Sequence, residues 1–165
     1  MTPDTRISLA LEDDQLLLAG QPVAALAERY GTPIYLYDAE HIGIRIRILR
    51  NLLPKYVKIL YAIKANPFAP LLRHLAGLAD GMDAASHGEC QAALNAGIAA
   101  GSISFAGPGK RDTELRFALE RGILLVAESV DEIERTARIA DACGTTPRLM
   151  LRLNPDFELG RAGMR

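Results

Sequence analysis

Short β-prone apolar runs recur along the chain, each followed by turn residues and then a stretch with helical periodicity: Val57 to Ile63, Gly81 to Ala84, Ile103 to Phe105, Leu124 to Val126 and Leu149 to Leu153. Their C-terminal ends lie roughly twenty to twenty-seven residues apart, the length of one strand, one helix and two short loops in a βα repeat. The helical stretches carry their own punctuation. Ser86 with Glu89 and Ser129 with Glu132 have the S-x-x-E spacing of a capping box, and Gly97, Gly122 and Gly144 stand where a helix C-terminus takes a left-handed residue. Ahead of the first repeat, Ile42, Ile46, Leu49 and Leu53 follow helical spacing, which predicts one buried helix face.

Alternating strands and helices with short connections imply a parallel sheet, either doubly wound or closed into a (β/α)₈ barrel. Five units are visible in 165 residues, whereas a barrel takes eight strands and about 250 residues. Residues 1–30 have a different rhythm. Ile7 to Leu18 reads as a hairpin with Glu12-Asp13-Asp14 as its turn, and Val23 to Tyr30 as a short helix, so this segment is expected to belong to another layer.

Composition narrows the function classes. The chain has 19 Lys plus Arg against 20 Asp plus Glu, a net charge of −1. That balance supplies no clustered positive charge for nucleic acid or an anionic membrane. Two cysteines, Cys90 and Cys143, make no disulfide framework and fit a reducing cytoplasm. The first residues lack a signal-peptide pattern, and the longest stretch without charged residues, Cys90 to Gly109, holds four glycines and a proline and is too broken to span a bilayer. The expectation is a cytoplasmic protein with no membrane or nucleic-acid partner.

In a parallel α/β protein, chemistry collects at the C-terminal strand ends. Lys64 ends the first strand, on the alternation face of Leu60 and Ala62; were that face a barrel interior, partial desolvation would expose the neutral amine that forms a Schiff base. The bland alternative is a solvated lysine. The second strand leads into Asp83, His87 and Glu89. Asp83 and Glu89 offer carboxylates, although a cap already accounts for Ser86 and accounts equally well for Glu89. Three histidines without metal-ligand spacing predict no metal site. Gly107-Pro108-Gly109-Lys110 fits neither the P-loop nor the dinucleotide pattern, because Ser104, Arg111 and Asp112 stand where those patterns need other residues, and reads as a loop shaping the rim of a site. A cap explains Ser129 and leaves Glu128 open. Arg152 lies in an otherwise apolar strand, which predicts an interior arginine paired with a carboxylate such as Asp83 or Glu89.

Taken in order, Tyr61-Ala62-Ile63-Lys64-Ala65-Asn66-Pro67, Met82-Asp83-Ala84-Ala85-Ser86-His87-Gly88-Glu89, Phe105 to Lys110, Glu128-Ser129 and Leu151 to Asp156 resemble successive barrel motifs of the alanine-racemase-fold decarboxylases that use pyridoxal 5′-phosphate. That family includes diaminopimelate and ornithine/arginine decarboxylases. The resemblance runs from about Gly31 to Arg165. Gly107 to Lys110 and Asn154-Pro155-Asp156-Phe157 further resemble a subgroup from biosynthetic gene clusters.

The resemblance implies a partial (β/α)₈ TIM barrel over residues 31–165, with residues 1–30 associated with a second β-domain. It implies that Lys64 is the catalytic residue carrying pyridoxal 5′-phosphate and that Asp83, Glu89 and Arg152 form a cofactor-binding polar network. It implies an amino-acid substrate, loss of carbon dioxide and a homodimer at full length. The family's phosphate loop, ring-stacking histidine, acidic partner of the pyridine nitrogen and C-terminal β-domain have no counterpart in the sequence, so the chain is expected to be an N-terminal part, inactive alone. Three readings compete: a racemase on the same barrel, a decarboxylase for another basic or carrier-tethered amino acid, and a non-catalytic regulator derived from a decarboxylase. Retention of Lys64, Asp83, Glu89 and Arg152 together argues against the regulator.

Overall fold

A computed structural model describes residues 9–154. The chain opens with an antiparallel sheet of three strands, β1 (Leu9–Glu12), β2 (Gln15–Leu18) and β3 (Gln21–Pro22), with β2 in the middle. Asp13 and Asp14 turn the hairpin with φ of 47° and 59°. Two successive left-handed residues are what a two-residue turn needs to match strand twist, and Asp tolerates them better than most residues. The hairpin and its turn agree with the sequence reading, although Ile7 and Ser8 lie outside the described residues. Helix α1 (Val23–Tyr30) follows within the expected bounds.

The second sheet has five strands, β4 (Leu60–Ala62), β5 (Gly81–Ala84), β6 (Ile103–Phe105), β7 (Leu124–Ala127) and β8 (Leu149–Leu151). All its pairings are parallel, and the spatial order β4-β5-β6-β7-β8 repeats the chain order. A doubly wound sheet reverses order at a switch point, whereas a barrel does not. The order therefore selects the partial barrel from the two architectures that the periodicity left open. Helices α3 (Ala69–Ala76), α4 (His87–Asn95), α5 (Asp112–Arg121) and α6 (Val130–Cys143) make the crossovers, and α2 (Ala39–Leu52) precedes β4.

One face of this sheet is sealed. Met82 and Ala84 of β5, Ile103 and Phe105 of β6, and Leu125 and Ala127 of β7 are buried. All of these but Ala127 meet Leu72 and Leu75 of α3, Cys90 and Ala93 of α4, and Leu115 and Ala118 of α5 in one cluster that also takes in Ile139 of α6. The other face is not sealed by the described residues: Leu60 is 41% exposed and Met150 52%. Gly81 marks the tightest backbone approach, since a Cβ there would lie 2.0 Å from the Ser102 carbonyl oxygen.

Two expectations need correction. The face of α2 is less buried than its spacing predicts: Ile42 and Ile46 pack on the core, but Leu49 is exposed and Gly43 is the buried residue. The end of the helix is tied by polar groups instead. Arg50 donates to the Val57 carbonyl at 3.1 Å and pairs with Asp80, which also accepts from the Ile59 amide at 2.7 Å. These bonds hold the Asp80 carboxyl below its ordinary range, the Ile59 amide contributing most and Arg50 next. The first strand is also shorter than its apolar run, because Val57 closes a turn onto Pro54 and pairing begins only at Leu60. Among the described residues, no helix is long and apolar enough to cross a membrane. Both cysteines are free; burial pushes the Cys90 thiol up to about 12.

Candidate active site

Strand alternation puts Asp83 and Ser104 on the face opposite Met82, Ala84, Ile103 and Phe105. Parallel register sets Asp83 beside Ser104, and the Ser104 hydroxyl donates to Asp83 Oδ1 at 2.5 Å. Ser104 is only 6% exposed, so this donor is spent on Asp83 rather than on water. In the sequence Ser104 serves only to exclude a P-loop; the signal for its role is a lone polar residue between two apolar ones in a three-residue strand.

Lys64 follows β4, in register with β5 where Ala62 faces Asp83. It lies in a 3₁₀ turn, Ile63–Ala65, rather than in the strand itself. Ile63 anchors the turn with a fully buried side chain, while Asn66 closes it: its amide donates to the Ile63 carbonyl at 3.0 Å. The Asn66 side chain donates to the Tyr37 hydroxyl at 2.8 Å and accepts from the Phe68 amide at 3.0 Å, and Tyr61 donates to the Asn66 carbonyl at 3.2 Å. Burial, reinforced by nearby Tyr37, raises the Tyr61 phenol above its ordinary value, so it stays a donor at neutral pH. The backbone under Lys64 is thus fixed on both sides. The lysine itself is exposed, so among the described residues its amine is not desolvated, contrary to the expectation for a barrel interior.

Glu89 is held close to its strand end. Its amide donates to Ser86 Oγ at 3.2 Å, but its carboxylate accepts from the Ala85 amide at 2.5 Å rather than from Ser86. The second S-x-x-E pair does the same. Glu132 donates its amide to Ser129 Oγ at 3.1 Å while Oε2 takes the Glu128 amide at 3.3 Å. Both boxes reach one residue further back than the pattern implies and so tie the helix to its strand.

Arg152 departs most from expectation. Its side chain is 56% exposed and pairs with Glu128, Nη1 to Oε2 at 3.4 Å, and not with Asp83 or Glu89. The reason is distance: β8 and β5 are separated by β6 and β7, which puts them about 14 Å apart at the usual strand spacing. Glu128, at the end of the neighbouring strand, is the carboxylate within reach. Its other oxygen accepts from the Gly107 amide at 2.6 Å, so the residue left open by the sequence ties two strand ends together. Asp83, Glu89 and Arg152 do not meet in one direct network among the described residues: Asp83 and Glu89 lie at the end of β5 and the start of α4, next to the β4 end that leads into Lys64, and Arg152 follows β8. No group of three or more potential metal ligands is found among the described residues.

Residues 39–164 match the family model described as pyridoxal-dependent decarboxylase, pyridoxal binding domain. The chain belongs to this family. Pyridoxal-dependent decarboxylases similar to it include diaminopimelate decarboxylase of Zymomonas mobilis, 36% identical over 157 residues, which covers 92% of this chain and 37% of the relative. L-glutamyl-[BtrI acyl-carrier protein] decarboxylase of Niallia circulans is 35% identical over 144 residues, with 87% and 34% covered. Among solved structures, diaminopimelate decarboxylase of M. jannaschii in co-complex with L-lysine superposes with a TM-score of 0.84 at 26% identity, over 93% of this chain and 37% of that one. The chain spans little more than a third of the length of these relatives.

Proposed function

We propose that this chain is the lysine-bearing part of a pyridoxal 5′-phosphate-dependent amino-acid decarboxylase, with Lys64 as the residue that attaches the cofactor. The observation that carries the reading is the placement of Lys64: an accessible primary amine on a turn closed by Asn66, whose side chain and carbonyl are bonded to Tyr37, Phe68 and Tyr61, at the rim that also bears Asp83, Glu89, Glu128 and Arg152. These residues suit the cofactor chemically, as an amine for its carbonyl carbon and fixed charges of both signs for its polar substituents.

When bound, pyridoxal phosphate supplies an electron sink for the pair left behind as the carboxylate departs. The chain's own residues prepare that event. Lys64 Nζ would hold the cofactor and is a group able to carry a proton. Asp83, oriented by Ser104, and Glu89, held by the Ala85 amide, set negative charge beside the lysine; Arg152, steadied by Glu128, sets positive charge at the far strand. Residues 31–165 supply the barrel part and residues 1–30 pack with a β-domain. Among the described residues the rim is open to water, and in this reading residues 1–165 alone attach the cofactor weakly and do not turn over.

Meso-diaminopimelate is the substrate the relatives favour first. The Niallia circulans relative, nearly as similar as the Zymomonas one, supports a carrier-tethered amino acid as the second reading. The test is carbon dioxide release by the protein at the length its gene encodes, loaded with pyridoxal phosphate and offered meso-diaminopimelate, lysine, ornithine, arginine and a carrier-tethered glutamate. We expect release from one of these, borohydride-stable labelling that maps to Lys64, and a drop of about a thousandfold or more in K64A, the order typical of losing a covalent or acid–base group. No release from any substrate and no label at Lys64 would leave the non-catalytic regulator as the better account.

A further inference from the structure

Lys110 has no part in the reading above, yet it is the most completely committed charged side chain of the described molecule. Its side chain is 1% exposed and bonds Glu132 Oε1 at 2.6 Å, whose side chain is 4% exposed. The same ammonium donates to the Gly107 carbonyl at 2.7 Å and to the Val126 carbonyl at 2.8 Å. An ammonium has three protons, and here each has an acceptor. The acceptors come from three places: the loop after β6, strand β7 and the first turn of α6. A buried ion pair is seldom kept for stability, since apolar residues of similar volume serve as well. What apolar residues lack is the ability to fix three backbone segments in one register.

Those segments converge on Glu128. Its amide is held by the second oxygen of Glu132 and its carboxylate by the Gly107 amide, and both Glu132 and Gly107 are gripped by Lys110. The loop has little freedom to drift: Gly107 has φ of +117° and a Cβ there would come within 3.1 Å of the Ala85 carbonyl oxygen, so it is wedged between the ends of β5 and β7. From outside, Arg135 donates to the Lys110 carbonyl at 2.8 Å while paired with Asp112. The oxygen of Glu128 left over by these contacts is the one that meets Arg152.

We propose that Lys110 is a positioning residue for the rim, setting the Gly107 loop and through it the Glu128–Arg152 pair. The consequence for turnover rests on the proposed decarboxylase reading; the geometric claim does not. Two readouts keep them apart, both on the protein at the length its gene encodes. The first is the Gly107 amide in glycine-labelled protein, whose bond to a carboxylate gives a downfield proton resonance and slow exchange. K110M is expected to move that resonance upfield and speed its exchange about tenfold or more, E128Q to do the same, and the two together to do no more than either. Where K110M fails to fold, K110M/E132Q, which leaves no lone buried charge and keeps an acceptor for the Glu128 amide, serves in its place.

The second readout is steady-state kinetics of the holoenzyme. K110M/E132Q and R152A are each expected to lower kcat/KM about tenfold, the order for losing one charge-assisted hydrogen bond, with no further loss when combined. An unchanged Gly107 amide, or kinetic effects that multiply, would overturn the proposal. A wild-type protein without decarboxylase activity would sink the functional reading alone, and the amide would still decide the role of Lys110.

Discussion

Two lysines follow alternate strands of the same sheet and have opposite fates. Lys64, after β4, is exposed on a turn anchored by the buried Ile63 and closed by Asn66. Lys110, after β6, has a buried ammonium and three acceptors. One has a fixed base and a free head; the other has a head so well bonded that no lone pair or vacancy is left for a reaction. Whether a lysine's amine is accessible therefore depends less on residue type than on which end of the side chain the protein holds.

Removing the two heads separates them most sharply. K110M strands Glu132 in a buried site, so it is expected to cost about 3–5 kcal/mol in chemical denaturation, with most of that recovered in K110M/E132Q. K64M removes an exposed group and is expected to stay within about 0.5 kcal/mol of the parent. Equal losses in the two single variants would dissolve the contrast. A smaller effect is expected two strands away from Lys64. S104A deletes the buried donor of Asp83, which should cost roughly 1.5–3 kcal/mol, the range for a bond to a charged group, and a melt indistinguishable from the parent would show that Asp83 holds its place unaided.

The smallest effect concerns acid. Asp80 secures the approach to the Lys64 strand, and its folded-state pKa lies below the ordinary value of 3.8. A depressed carboxyl contributes stability that is present above the unfolded value and fades as pH falls through the folded one. Stability profiles of the parent and D80N should therefore differ above about pH 4 and converge in stronger acid, by a modest amount because the pair is partly solvated. Profiles that stay parallel down to low pH would remove Asp80 from the tether.

Much of this was legible before any coordinates. The strands β5 and β6 coincide with their apolar runs, α1 with its predicted bounds, and the hairpin turn with its acidic residues, because each is decided by local periodicity and turn chemistry. The resemblance implies one polar network of Asp83, Glu89 and Arg152 beside Lys64, and among the described residues Arg152 pairs with Glu128 instead. What escaped was partner choice. Arg152 was expected to reach a carboxylate on β5, but the count of intervening strands is a property of sheet order, which local pattern does not reveal. Glu132 was assigned to a cap, and so its second task of neutralising Lys110 stayed hidden. Lys110 itself looked like the tail of a glycine-rich loop, since nothing along the chain distinguishes a lysine that folds inward from one that points to water.

Gly81 carries a consequence for how much this sequence can vary. With the Ser102 carbonyl 2.0 Å from where a Cβ would sit, even a methyl group there must displace the backbone of the adjoining segment, and no rotamer change relieves it. A saturation library at this position should return glycine alone, while neighbouring core positions such as Met82 admit apolar substitutes of similar volume. The narrowest constraint on the sheet is thus set by a residue with no side chain, two positions before the aspartate that its strand delivers to the rim.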